Sequence, residues 1–159
     1  MKPRAWLLPV IGLFLIGAGV AFCLRGSPYL VIVNTDRGRE FRIPLGSRFT
    51  LSYVNSIYRA PAAEDFEVGE KNEIVLKGVR TRSAAVAQYY GFEDGREYYP
   101  VERRMKSFAL RVGMTDLQAL DVGNEKVSLG KMGSAGDRLE FRVEKLSQAR
   151  VWLSRITKD

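Results

Sequence analysis

The chain has 159 residues, with 25 Lys and Arg against 18 Asp and Glu, a formal net charge of +7, one cysteine and no histidine. Without imidazole, Ser-His-Asp and Cys-His catalysis are excluded, as is every zinc site that needs a histidine ligand. The length fits one domain, and the lone Cys23 rules out an internal disulfide.

Ala5–Leu24 carries no charge. As a helix it would span roughly 30 Å, about one hydrocarbon core. Lys2 and Arg4 precede it, which favours a cytoplasmic N-terminus and export of the C-terminal part of the chain. We therefore read residues 1–27 as a signal-anchor or signal peptide, and residues 28–159 as an extracytoplasmic domain. That domain would sit on the periplasmic side of the inner membrane, held there by a single pass. Pro9 would kink the helix. Cleavage after Ala21 and lipidation of Cys23 are the alternatives, and each still exports the domain. Lys2, Arg4 and Arg25 all flank the apolar run, so the basic excess of the exported part is mild. No nucleic-acid partner is expected in that compartment.

After Gly26-Ser27-Pro28 the pattern is strand upon strand. Tyr29–Val33 is a continuous apolar run, as for a strand buried on both faces. Phe41, Ile43 and Leu45 alternate with polar residues, and Pro44 marks an edge. Phe49, Leu51 and Tyr53 alternate with Arg48, Thr50 and Ser52. Asn55-Ser56 breaks that pattern, and Pro61 is assigned to the connection after it. Alternation resumes at Phe66 and Val68, which places Glu64 on the apolar side of its strand. A carboxylate there needs a partner or water. Ile74–Val79 is the next strand, and Ser83–Gln88 fits either a short helix or a strand. Arg80–Arg104 is the least regular region. Phe108–Val112, Leu120–Val122, Val127–Leu129, Leu139–Val143 and Val151–Leu153 complete the strands. Many short strands with turns between them predict an all-β fold, an antiparallel β-sandwich or partly open barrel.

Few residues carry candidate chemistry. Asn55, Ser56 and Glu64 either line a polar pocket at the strand corner or simply build the turn. Tyr89, Tyr90, Tyr98 and Tyr99 cluster with Arg103, either as a contact surface or as a roof over the core. Asp65 with Glu67 and Glu93 with Asp94 are carboxylate pairs, read as a solvated strand face and a turn rather than as a hydrolytic pair. Gly130–Asp137 lacks the spacing and the following helix of a phosphate loop and reads as a flexible hairpin loop. No metal site and no cofactor is expected.

Tyr53, Ser56, Ile57, Pro61, Glu64 and Phe66 fall in register on a short motif, aromatic-x-x-His-Ser-Val, then Pro, then Glu-x-Phe. The stretch thus resembles the domain of unknown function 1850 family, small exported bacterial proteins often encoded beside TRAP-type transporters that use TAXI solute-binding proteins. Asn55 stands where the family has His, and Tyr58 where it often has Glu. A family site that relies on the His is therefore not expected here. The resemblance implies a non-catalytic accessory of a TRAP–TAXI uptake system, acting by contact with the TRAP membrane subunit or the TAXI protein. The competing expectations are a module that binds a small anionic solute and, behind it, a carboxylate-dependent hydrolase.

Overall fold

The computed structural model describes Gly17 and residues 26–93, 95–114 and 117–147. The apolar run Ala5–Leu24, Gly17 apart, and the strand expected at Val151–Leu153 lie outside these residues, so neither expectation is addressed. Among the described residues no helix is long and apolar enough to cross a membrane. The chain divides into two compact units, with boundaries after Ser27 and after Glu144. The candidate residues all lie in Pro28–Glu144.

The strands are β1 (Gly26–Asn34), β2 (Arg39–Pro44), β3 (Arg48–Asn55), β4 (Ala60–Val68), β5 (Ile74–Thr81), β6 (Tyr98–Met105), β7 (Ser107–Arg111), β8 (Ala119–Val122), β9 (Glu125–Ser128) and β10 (Arg138–Ser147). A short α-helix, α1 (Ala84–Tyr89), comes after β5. The strands form two sheets, four-stranded in the order β2-β1-β10-β7 and six-stranded in the order β6-β5-β4-β3-β8-β9. The hairpin and neighbour pairings are antiparallel, from β1–β2 and β3–β4 to β7–β10 and β8–β9. This is a mostly antiparallel, β-rich, two-sheet fold with no closed barrel.

The period-two patterns explain why these segments are strands. Along β10, Leu139, Phe141 and Val143 are buried while the charged residues between them are not. Along β3 the same holds for Phe49 and Leu51. The two sheets share a core crossed by a ladder of stacked rings. Phe49 and Phe66 of the larger sheet stack at 4.9 Å, Phe66 on Phe108 at 5.1 Å, and Phe108 on Phe141 of the smaller sheet at 4.7 Å. Offset aromatic pairs of this kind add to the area they bury.

Three local features depart from the sequence reading. Pro61 lies inside β4 rather than in the connection before it. It is tolerated near the start of that strand, opposite Val54, where pairing with β5 has not yet begun; its carbonyl accepts the Thr81 hydroxyl at 3.0 Å. The irregular region contains a full strand, β6. Tyr98 of that strand covers Gly78, where an added Cβ would collide with the ring and its hydroxyl. Glycine leaves a gap in the sheet that the cross-strand ring fills.

The third departure is Gly130–Asp137, which is a crossover between sheets rather than a flexible hairpin loop. It begins with a 3-10 turn at Leu129–Lys131 and is latched by Asn34, a fully buried residue at the end of β1. The Asn34 amide donates to the Met132 carbonyl at 3.1 Å and to Asp137 Oδ2 at 2.9 Å. Its Oδ1 accepts the backbone N–H groups of Asp36 and Arg37 at 3.2 and 3.0 Å. Arg37 Nε and the Ser134 N–H donate to the same Asp137 oxygen at 2.5 and 2.9 Å.

Candidate cleft between the sheets

A one-residue connection, Lys106, carries the chain from β6 at the edge of one sheet to β7 at the edge of the other. Beside this corner Phe108 of β7 stacks on Phe66 of β4, and the side chains around that contact do not fill the space between the sheets. A cavity of about 430 Å3 remains. Its floor is Phe66, Leu76 and Val79, and Phe108 of β7 forms one wall. Tyr90 and Phe92, just beyond α1, form the roof. Ser83 caps that helix by accepting the Val86 N–H at 3.3 Å, which settles the helix-or-strand ambiguity. Burial of Val86 and Ala87 then presents Tyr90 and Phe92 to the cleft. Phe92 is held by stacking on buried Tyr99 at 4.3 Å and beside Tyr90 at 6.2 Å.

Two charged residues, Glu64 and Arg103, line this mostly apolar space, together with Ser107 and the Tyr90 phenol. Glu64 sits in the register of β4 between Leu51 of β3 and Val79 of β5, on the face it shares with Phe66. Its Oε1 accepts two phenols, Tyr53 at 3.0 Å and Tyr90 at 2.5 Å, and the two hydroxyls also touch each other. Burial, followed by the negative charge of Glu64, pushes the Tyr53 hydroxyl well above the usual tyrosine range. Burial, followed by its hydrogen bond to Glu64, does the same to Tyr90. Both phenols therefore stay protonated and act as donors at neutral pH. No described residue donates to Oε2 of Glu64. Because no fully buried side-chain polar atom among the described residues lacks a partner, that oxygen is open to the cavity or to water.

Arg103 is exposed, yet its place in β6 is on the inward side, in phase with Tyr99, Val101 and Met105. Its neighbours Glu102 and Arg104 point outward into an ion-pair network with Lys77 and Glu73, at 2.9–3.3 Å. Among the described residues no carboxylate pairs with Arg103. An inward charge on an edge strand also discourages edge-to-edge association.

The fold thus gathers Glu64, Tyr90 and Arg103, and separates the other candidates from them. Asn55 is buried and makes the turn, its Oδ1 accepting the N–H groups of Ile57 and Tyr58 at 3.0 and 3.1 Å. It pairs with Ala60, four residues along β3 from the Leu51–Glu64 rung, a distance of roughly 13 Å. Ser56 is exposed in the same turn. Tyr89 is exposed and meets Tyr58 edge-on at 6.4 Å. Tyr98 and Tyr99, adjacent on β6, face opposite sides of the sheet. Asp65 and Glu67 lie on the outer face, each held by an arginine at 2.7 Å, Arg80 and Arg48 respectively. Asp94 lies outside the described residues. Among the described residues no three acidic, cysteine or histidine side chains converge on a metal-sized site.

The sequence reading missed Tyr53 as a partner of Glu64. The hairpin register contained the clue, because Tyr53 is the diagonal neighbour of Glu64 on one face once Leu51 stands opposite it. Tyr90 comes from outside the hairpin and left no such trace. Comparison with protein-family models, with curated proteins and with solved structures finds no match to this chain.

Proposed function

We propose that Pro28–Glu144 is the greater part of an antiparallel β-sandwich that binds a small solute in the cleft between its sheets, without catalysing a reaction. One observation supports this reading above the rest. An aromatic-walled cavity holds a carboxylate whose second oxygen has no protein donor among the described residues. Concave, mostly apolar pockets with a few aimed polar groups are the usual form of a solute site. The apolar run Ala5–Leu24 would tether the domain on the outer side of the inner membrane, where it would meet solutes before uptake. The test is a thermal-shift titration of the full-length chain against amphiphilic and charged small molecules. A melting temperature that rises with concentration of one chemical class supports binding, provided that Phe108→Trp, which fills the cavity, removes the rise. Flat melting curves across all classes would overturn it.

A second reading rests on the exposed group Ile57, Tyr58 and Tyr89, at 64%, 44% and 59% exposure. Aromatic residues left outside are favoured anchors for protein partners. The resemblance of Tyr53–Phe66 to the domain of unknown function 1850 family makes a TRAP membrane subunit or a TAXI protein the partner to seek. A mild-detergent pull-down of the full-length protein should recover one of them, and Tyr58→Ser with Tyr89→Ser should lose it. Recovery of neither from the wild type would end this reading.

A further inference from the structure

The two charges of the cleft are opposite in sign and form no ion pair with each other. Glu64 faces the cavity between aromatic walls, with Oε2 unclaimed among the described residues. Arg103 lines the same cavity without an acidic partner among those residues. Phe66, two residues along β4 from Glu64, stands opposite Leu76, and Leu76 stands opposite Arg103, because the register of β5 shifts between Leu76 and Gly78. The two backbones are therefore roughly 12 Å apart, from strand spacing and rise. The side chains and two ion-pair contacts take up part of that distance. What remains is a span on the order of 5–8 Å between the charges of a ligand that satisfies both.

We propose that the ligand of this cleft is an elongated zwitterion, its ammonium at Glu64 and its carboxylate at Arg103; this rests on the reading that the cleft binds a solute at all. A guanidinium at the other end offers a two-pronged site for a carboxylate. The apolar floor between them, Leu76 and Val79, suits a methylene or peptide-length spacer. A simple anion would leave Glu64 facing like charge across a low-dielectric space, and a simple cation would leave Arg103 unanswered.

The test is isothermal titration of the full-length chain in lipid nanodiscs, with empty nanodiscs as blank. Four probes share one chain length: 6-aminohexanoate, whose charges fall in the required range when extended, hexanoate, hexylamine and hexanol. We expect 6-aminohexanoate to bind at least tenfold more tightly than hexanoate or hexylamine. Glu64→Gln should erase its advantage over hexanoate, and Arg103→Gln its advantage over hexylamine. If hexanoate or hexylamine binds as well as the zwitterion, the zwitterion proposal is overturned while the cleft remains a solute site. If none of the four probes binds while another chemical class still raises the melting temperature and Phe108→Trp removes that rise, the zwitterion proposal falls alone; if the melting curves are flat as well, both fall.

Discussion

The Asn34–Asp137 latch and the Glu64 cluster are both polar groups set against one hydrophobic core, yet they are completed differently. Every hydrogen-bonding group of the Asn34 side chain is answered by the chain itself, by Met132, Asp137, Asp36 and Arg37. Glu64 is answered on one oxygen only, by Tyr53 and Tyr90, and it borders a cavity. A buried polar group that is fully satisfied fixes the fold; one that is half satisfied beside open space is available to something else. The contrast predicts that damage to the first cluster registers in stability and damage to the second in binding.

The largest effect is expected at Asn34. Asn34→Ala removes, from a fully buried residue, the donor to the buried Met132 carbonyl, one donor to Asp137 and the acceptor of the Asp36 and Arg37 N–H groups in the turn beside it. A loss of about 3 kcal/mol is expected from buried groups left unpaired. Urea unfolding of the full-length chain would measure it, and a loss below about 1 kcal/mol would mean the latch is not structural. Gly133→Ala should act on the same latch from outside. An added Cβ would sit 2.6 Å from the Asn34 amide nitrogen and 2.9 Å from Asp137 Oδ2. The expected loss is about 2 kcal/mol, in the range for overpacking, and combining the two changes should cost less than their sum.

Neither cluster was visible as such in the sequence, for different physical reasons. Alternation was readable wherever one face of a strand is buried and the other wet, as at Phe49–Leu51 and Leu139–Val143. It failed at β6 because Arg103 occupies an inward register position between Val101 and Met105, interrupting the apolar period. The residue that hid the strand is one of the two charges of the cleft. Asn34 reads locally as the residue that ends an apolar run, and its partners Met132 and Asp137 lie about a hundred positions away. Glu64 was legible as an acid on an apolar face, because the phase of its strand is set by Phe66 and Val68. Pro61 shortened the reading of β4, since its tolerance depends on where β5 stops pairing.

Glu64→Gln is expected to reverse the pattern seen at Asn34. The amide oxygen still accepts from Tyr53 and Tyr90, so the change in unfolding free energy should stay within about 1 kcal/mol. The affinity for a cationic or zwitterionic probe should fall at least tenfold by titration calorimetry. A loss of stability as large as that of Asn34→Ala would place Glu64 with the latch instead, as part of the structure.

The two clusters should also fail at opposite ends of the pH scale. Hydrogen bonds from Asn34 and from the Ser134 N–H, with Arg37 beside them, hold the Asp137 carboxyl below its usual range. Its contribution to stability is therefore present above about pH 4, the unfolded value, and is lost as pH falls through the folded one. Tyr53 and Tyr90 are shifted the other way, upward. Their contribution is complete below about pH 10, where unfolded tyrosine is still protonated, and declines as pH rises beyond it. Tyr90→Phe removes one donor to Glu64 and should cost about 0.5–1 kcal/mol at neutral pH, the smallest change considered. The difference between wild type and Tyr90→Phe should then hold steady from about pH 6 to 9 and shrink above about pH 10. A difference that grew with alkalinity would mean that the phenol ionises more readily in the folded chain than in the unfolded one, and the neutral-donor account of the Glu64 cluster would be wrong.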